Sequence, residues 1–165
     1  MAPPNKALLG TLAASFLALC CEFTAPNEGI VNHAVKDTGG IWSICRGHTY
    51  NVHEGDTATD DQCKIWYKQD MTHAIYLVDL FTDNAPIPPN AKKVFVDEVF
   101  NTGGGDFKGS TMVKMIKAGN YAGACRQFPR WHYAGHKDCY IRANACYGII
   151  TRRQRQMETC LKGLK

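Results

Sequence analysis

The sequence predicts an α+β fold in which a small β-sheet is followed by about five helices. Gly, Thr and aromatic residues with short β-favouring runs fill residues 30–55. Apolar residues then recur at helical spacing from Cys63 onward. Gly-rich and Pro-rich breaks divide this helical part into short segments. The length of 165 residues suits one compact domain with its own core.

Capping residues and Gly-rich or Pro-rich stretches indicate where each predicted element begins and ends. The predicted strands are Ile41–Cys45 and Thr49–Val52. The first helix begins at the capping box of residues 59–62 and ends before the Pro-rich stretch 85–89. The later helices are predicted from about Asn90 to the glycines 103–105, from Ser110 to Ile116, from Asn120 to about Phe128, and from the capping box at Thr151 to Leu161.

An uncharged apolar run spans residues 7–21, between Lys6 and Glu22. It is shorter than the roughly 20 apolar residues of a stable transmembrane helix, and small residues dilute it. It therefore suits a signal-peptide core or a weak, tilted anchor. Because the cleavage signal is poor, we expect a retained segment over 1–22 and a folded domain over 23–165. An ordinary cleaved signal peptide is the alternative.

Eight cysteines without a C-x-x-C motif indicate disulfides formed in an oxidising compartment. Cys139 and Cys146 are predicted to close a short loop, and Cys125 and Cys160 lie on two predicted helices and form a second candidate pair. The alternative is a zinc site, because Cys45, His48, His53 and Cys63 have a possible ligand spacing. Disulfides are favoured, so we expect neither a metal nor another cofactor.

Positive charge is concentrated in the last quarter of the chain. Residues 126–165 contain nine Lys or Arg and two Asp or Glu, whereas the formal charge of the whole chain is +4. Such a surface favours an anionic partner: nucleic acid, an acidic membrane or a cell-wall polymer. The export segment and the lack of a recognised binding motif disfavour nucleic acid. The alternative is a solvated helix face with Arg152 and Arg153 partly buried against carboxylates.

Two carboxylates form the candidate acid–base pair. Glu28 precedes the predicted sheet, and Asp37 lies nine residues later, before the turn 38–40. Two carboxylates that face each other can split a glycosidic bond, one as the acid and the other by activating water or stabilising the cationic transition state. The spacing alone is weak, and two solvated surface carboxylates are the alternative.

The residues around this pair resemble the active-site signature of the phage-type lysozymes. Glu28-Gly29 is followed by Asp37, by Ser43 and by Gly47-His48-Thr49. Three further blocks occur in the family's order, and they are Phe100-Asn101-x-Gly103-x-x-x-Phe107-x-x-Ser110-Thr111, Trp131-x-Tyr133-Ala134-Gly135, and Arg152-Arg153 followed by Cys160. The resemblance covers about residues 27–162.

The resemblance implies a lysozyme-like fold, with a small β-sheet lobe packed on a mostly helical lobe, and a role for each motif residue. Glu28 would be the general acid and Asp37 the second carboxylate. Ser43 would orient the attacking water where the family has Thr; it keeps the hydroxyl but lacks the methyl that restricts the rotamer.

The same resemblance implies substrate-binding candidates. They are His48, Asn101 and Trp131. For His48 the resemblance also implies a brace of the turn beside the cleft. Asn101 can be a helix C-cap, a cleft residue or both, and the alternative for Trp131 is a core or interface aromatic.

The implied activity is hydrolysis of the β-1,4 bond between N-acetylmuramic acid and N-acetylglucosamine in peptidoglycan, with inversion expected. The apolar run 7–21 resembles the segment of signal-anchor-release endolysins, which tethers the enzyme to the inner membrane before its release into the periplasm. We expect a monomer. The alternatives are a decayed peptidoglycan-binding protein and a lytic transglycosylase. A further hypothesis is that Cys20 or Cys21 exchanges with a disulfide of Cys45 and so activates the released enzyme.

Overall fold

The computed structural model of the chain describes residues 6–36 and 40–165, with side chains described from residue 13 onward. Its contacts divide the chain into an amino-terminal unit, Met1–Tyr76, and a carboxy-terminal unit, Leu77–Lys165. The α+β class is confirmed, because a two-stranded sheet precedes a series of helices. The predicted division of the chain at residues 22 and 23 stays a prediction.

The amino-terminal unit begins with a helix and a short antiparallel sheet. Its elements are α1 (Lys6–Thr24), a 3-10 turn (Ala25–Asn27), β1 (Val31–Lys36), β2 (Trp42–Cys45) and the first part of α2 (Asp60–Phe81). In the register of the sheet Val35 lies opposite Ser43. Thr59 caps α2 as predicted, since its Oγ1 accepts a hydrogen bond from the Gln62 backbone N–H at 3.2 Å.

The predicted second strand, Thr49–Val52, is wrong, because β2 pairs with Val31–Lys36 instead. After β2 the chain turns tightly, and the backbones of Ile44 and His48 exchange two hydrogen bonds of 2.9 Å. Asn51 then adopts a left-handed conformation with φ of 57°. A residue at positive φ interrupts an extended ladder, so the β-favouring residues around it form a loop.

Buried side chains join the sheet to α2. Ile44, Cys45 and Cys63 are almost fully buried, and half-buried Val52 and Trp66 pack against them. Cys45 and Cys63 form a disulfide. The helical spacing read from the sequence for α2 is confirmed by its buried apolar residues, which are Cys63, Tyr67, Met71, Ala74 and Val78.

The last turns of α1 pack against the rest of this unit. Cys20 and Thr24, one helical turn apart, are fully buried, whereas Ala14 and Ala18 are exposed. The Tyr67 hydroxyl donates a hydrogen bond of 2.9 Å to the Cys21 carbonyl oxygen and so ties α1 to α2. Among the described residues, no helix combines the length and the hydropathy that crossing a membrane requires.

The carboxy-terminal unit is mainly helical. Its elements are the end of α2, α3 (Pro89–Thr102), α4 (Gly104–Lys108), α5 (Thr111–Lys117), α6 (Tyr121–Cys125), a 3-10 turn (Phe128–Arg130), the hairpin strands β3 (Tyr133–Ala134) and β4 (Lys137–Asp138), a second 3-10 turn (Arg142–Asn144) and α7 (Gly148–Lys162). Three fully buried phenylalanines occupy its core. Phe95 stacks on Phe128 at 5.6 Å between ring centroids and tilts against Phe107 at 6.5 Å.

The predicted caps of this unit are partly confirmed. Ser110 accepts a hydrogen bond from the Val113 N–H, and Asn120 accepts one from the Gly123 N–H. The Asn120-capped helix ends at Cys125 rather than near Phe128, because the Gln127 N–H bonds three residues back to Ala124 and the helix tightens.

The capping box predicted at Thr151 is wrong. Helix α7 begins at Gly148, so Thr151 lies within its first turn. The Ile149 N–H bonds to the carbonyl oxygen of Cys146, which is held in a disulfide, and this contact starts the helical path earlier. The Gln154 amide donates to Glu158 one turn ahead instead of reaching back toward Thr151.

The two predicted disulfides of this unit are confirmed. Cys125–Cys160 joins α6 to α7, and Cys139–Cys146 closes the loop between β4 and α7. Their sequence separations are 35 and 7 residues. The chain-entropy model assigns a larger stabilisation to the disulfide that closes the longer loop.

We therefore expect unequal losses of stability when the two disulfides are removed. Cys125→Ala with Cys160→Ala should lower the free energy of unfolding by about 4 kcal/mol, and Cys139→Ala with Cys146→Ala by about 2 kcal/mol. The burial of Cys125 and Cys160 adds to the first loss. Urea unfolding of both variants measures the difference. A larger loss from the short loop would contradict this ranking.

Candidate active site

Glu28 follows the 3-10 turn Ala25–Asn27 in an extended conformation and is half-buried. Its N–H donates to the Ala25 carbonyl oxygen at 3.2 Å. From the turn after β2, Arg46 Nη1 donates to the carbonyl oxygens of Ala25 and Glu28, at 2.8 and 2.7 Å. One guanidinium therefore holds the main chain on both sides of the turn from which the Glu28 side chain projects.

The ring of Tyr67 on α2 supports the same guanidinium. The Arg46 guanidinium carbon lies 5.4 Å from the centroid of the Tyr67 ring, within the range of a cation–π contact. Arg46 thus links α2, the turn after β2 and the backbone of Glu28. Arg46 is not predictable as a site residue from the sequence, because its position between Cys45 and Gly47 gives no signal of this role.

Ser43 belongs to the antiparallel strand pair of β1 and β2. Ser43 lies on β2, is half-buried, and is followed by the buried pair Ile44 and Cys45. The disulfide from Cys45 to Cys63 fixes the end of this strand on α2. Asp37 lies outside the described residues.

His48 is buried between the turn after β2 and α2. Its Nδ1 lies 2.8 Å from Asp70 Oδ2, and its ring stacks on Trp66 with centroids 4.7 Å apart and an interplanar angle of 8°. Only 7% of His48 is exposed. The geometry supports a brace, and a substrate contact for His48 stays a prediction. The zinc alternative is wrong, because Cys45 and Cys63 are joined in a disulfide rather than free as thiolates.

Asn101 lies within α3 and is not its C-cap, because Gly103 ends the helix with φ of 75°. The Asn101 Oδ1 accepts a hydrogen bond of 2.9 Å from Arg152 Nη1 on α7. Arg152 Nη2 also lies 3.2 Å from Asp97 Oδ1. Asn101 is thus an exposed residue at the outer end of a charged network between α3 and α7.

The inner part of this network is fully buried. Asp97 and Glu98 have no exposed surface, and Arg153 pairs with Glu98. Gln156 accepts from Arg153 Nη1 at 2.8 Å and donates to Asp97 Oδ2 at 2.7 Å. Burial lowers the pKa of Arg153 to about 10, and Asp97 opposes this shift, so the guanidinium remains charged at neutral pH. The predicted alternative of arginines buried against carboxylates is confirmed.

The same guanidinium positions Trp131. Arg153 Nε donates a hydrogen bond of 2.9 Å to the Trp131 carbonyl oxygen. Trp131 is half-buried, and with Arg130, Tyr133 and Asp106 it lines an open cavity of about 350 Å³ in the carboxy-terminal unit. An aromatic ring with charged neighbours can bind a polar ligand such as a sugar, and this role for Trp131 stays a prediction.

The bracing role of His48 predicts strong coupling with Asp70. A double-mutant cycle of His48→Asn and Asp70→Asn should give a coupling of about 1–3 kcal/mol in the free energy of unfolding, because the pair is short and largely buried. The matched control is His53 with Asp56, an exposed pair 3.8 Å apart. Its coupling should stay below about 0.5 kcal/mol. Equal couplings for the two pairs would refute the bracing role.

Comparisons with known proteins identify relatives of this chain. The family model described as phage lysozyme matches residues 25–156. The SAR-endolysin of Enterobacteria phage PA-2 is 31% identical over 170 aligned positions, covering 98% of each chain. The SAR-endolysin of Enterobacteria phage P21 is 30% identical, also covering 98% of each chain.

A solved structure shows the same fold. The active form of the P1 phage endolysin Lyz aligns with 100% of this chain and 98% of its own, with a TM-score of 0.75 and 19% identity. The lysozyme-like fold is therefore confirmed by structure as well as by sequence. With the family model matching most of its length, the chain belongs to the phage lysozyme family.

Proposed function

We propose that the chain is an endolysin that hydrolyses the β-1,4 bond between N-acetylmuramic acid and N-acetylglucosamine in peptidoglycan and thereby lyses the host cell. The observation that carries the proposal is the position of Glu28. It stands at the start of the region matched by the phage lysozyme model, on a backbone that Arg46 holds by two hydrogen bonds. A general acid must be held in this way to reach the leaving oxygen.

In the proposed reaction Glu28 donates its proton to the glycosidic oxygen as the bond breaks. Asp37 acts as the second carboxylate, and the Ser43 hydroxyl orients the attacking water. An inverting reaction places that water between the two carboxyl groups, about 6.5–9.5 Å apart. Ser43 has more rotamer freedom than a Thr would have, but its strand is fixed by pairing with β1.

Each unit contains candidates for substrate binding. Trp131 and Asn101 are our candidates in the carboxy-terminal unit, and His48 is the candidate in the amino-terminal unit. Exposed Arg126, Arg130 and Arg155 would contact the anionic groups of peptidoglycan or lipid headgroups. We expect the enzyme to act as a monomer.

The names of the relatives suggest how the enzyme reaches its substrate. Two relatives that match almost the whole chain are described as SAR-endolysins. We infer that residues 7–21 carry this chain through export, tether it at the inner membrane and then leave the membrane, so that the enzyme acts in the periplasm. The apolar and small residues of this run suit a segment that holds weakly.

The decisive experiment measures the products from purified Gram-negative peptidoglycan by mass spectrometry. The wild-type chain should release fragments with reducing muramic ends, and Glu28→Gln should lower their rate by at least a hundredfold, because Gln cannot donate the proton. Glu54→Gln is the matched control, since Glu54 is an exposed carboxylate in a loop of the same unit. This control should keep wild-type activity.

Other products would support other functions. Anhydro-muramic ends would identify a lytic transglycosylase, which needs one acid and no positioned water. An absence of products, with binding to peptidoglycan retained, would identify a decayed binding protein.

The positions of Cys21 and Cys63 support the hypothesis of thiol exchange. Cys21 and Cys63 line the same groove of about 330 Å³ in the amino-terminal unit, beside Tyr67. Attack of the Cys21 thiolate on Cys63 Sγ would form a Cys21–Cys63 bond and release Cys45 as a thiolate. Burial raises the pKa of the Cys21 thiol, so this exchange should be slow at neutral pH and accelerate as the pH rises.

Removing both thiols of α1 tests this regulation. The hypothesis predicts that Cys20→Ser with Cys21→Ser leaves the released enzyme inactive until a reductant opens the Cys45–Cys63 disulfide. Lysis of permeabilised cells, with and without dithiothreitol, measures the effect. Full activity of the double variant without reductant would eliminate the hypothesis.

A further inference from the structure

A second concave site lies in the amino-terminal unit. It is a cavity of about 480 Å³ beside the loop 50–57 and the first turns of α2. This volume is in the range of small-molecule pockets, roughly 300–1,000 Å³. Neither Glu28 nor Ser43 lines it. The described catalytic candidates therefore do not account for the cavity, whereas His48, our substrate-binding candidate in this unit, is part of its lining.

Aromatic rings form one part of its lining. Trp66 is half-buried, and its ring is fixed by the parallel stack with His48, whose Nδ1 is in turn held by Asp70. Tyr50 lines the same cavity and is 84% exposed. An aromatic residue with this exposure contributes little to the core. A Trp ring in a fixed orientation and a solvent-facing Tyr ring can each pack against the flat apolar face of a ligand.

Neutral polar side chains form another part of the lining. Asn51, Thr57 and Gln69 each present donors and acceptors to the cavity. All three residues are exposed, so their polar groups are accessible to a ligand beside the aromatic rings.

The charges around the cavity limit the class of ligand. Among the described residues that line it, none is Lys or Arg. The one carboxylate is Asp56, whose Oδ2 accepts a hydrogen bond of 2.8 Å from the His53 backbone N–H. A phosphate or a nucleotide would meet this carboxylate without a compensating cation. A neutral ligand is favoured.

We propose that this cavity binds an N-acetylhexosamine unit of a glycan strand. The C–H face of a pyranose ring is apolar and packs on Trp66 or Tyr50, while its hydroxyl groups pair with neutral amides such as Gln69. The acetamido group offers one donor, one acceptor and a methyl group, which match Asn51 and the apolar side chain of Val52. The choice of an N-acetylated sugar rests on the proposed function.

A second sugar site would change how the protein uses a polymeric substrate. A glycan strand bound at this cavity raises the effective concentration of its neighbouring sugars near the protein. The site would thus keep the protein on the polymer between cleavage events without taking part in bond breaking.

The test follows one NMR signal in the full chain. The chain carries Glu28→Gln to prevent turnover and is titrated with the β-1,4-linked trimer of N-acetylglucosamine. The indole N–H signal of Trp66, one of three Trp in the chain, is assigned with a Trp66→Phe variant. This signal should shift and saturate. Cellotriose, which lacks the acetamido groups, should bind at least tenfold more weakly at the same signal.

Exposed residues supply variants that do not endanger the fold. Tyr50→Ala and Gln69→Ala should each weaken the binding reported by Trp66 at least tenfold. Tyr76→Ala is the matched control, because Tyr76 is 58% exposed on α2 and does not line the cavity. Its dissociation constant should stay within twofold of the parent.

Several outcomes would overturn the proposal. They are a Trp66 signal that does not move at saturating trimer, equal binding of cellotriose, and unchanged affinity in both cavity variants. Since the readout is binding in a chain without Glu28, it is independent of cleavage. Failure of the proposed catalysis would appear in the product analysis instead and would leave this titration unaffected.

Discussion

The carboxy-terminal unit depends on one buried cation. Arg153 pairs with Glu98, bonds to Gln156 and holds the Trp131 carbonyl oxygen, so a single guanidinium joins α7, α3 and the chain after the first 3-10 turn of this unit. Removing a charge from water is costly, and the paired carboxylate and the hydrogen bonds of Arg153 offset this cost. The network therefore links the positions of α3, α7 and Trp131, because Glu98, Gln156 and the Trp131 carbonyl oxygen all contact the Arg153 guanidinium.

The amino-terminal unit is held together by a different set of contacts. Its sheet has two short strands, which are marginal on their own. A disulfide from β2 to α2, the stacked pair of His48 and Trp66, and the Arg46 guanidinium supply the missing support. All three join the segment around β2 to another part of the unit. The backbone around the proposed acid, Glu28, is thus held by Arg46, which lies in the turn after β2.

Local signals were sufficient for most of the fold. Helix α2 and the caps at Ser110 and Asn120 were predictable, because cap and periodicity act within one or two turns. The strand Thr49–Val52 and the start of α7 were not, since a left-handed Asn51 and a disulfide at Cys146 override local preference. For the site, motif resemblance gave the candidate residues in order. It could not give Arg46, Asp70 or Trp66, whose roles arise from contacts between residues distant in sequence.

Because of the three disulfides, the rigidity of each molecule depends on whether its cysteines have been oxidised. A chain made in a reducing compartment lacks all three covalent links, including the one that fastens β2 to α2. Newly made and oxidised molecules therefore share a sequence but differ in rigidity. Close to the proposed catalytic residues, this difference affects the strand that carries Ser43. Protein produced in a reducing cytosol would be a softer, more protease-sensitive form of the same fold, and the redox history of a preparation would set how much of it is fully assembled.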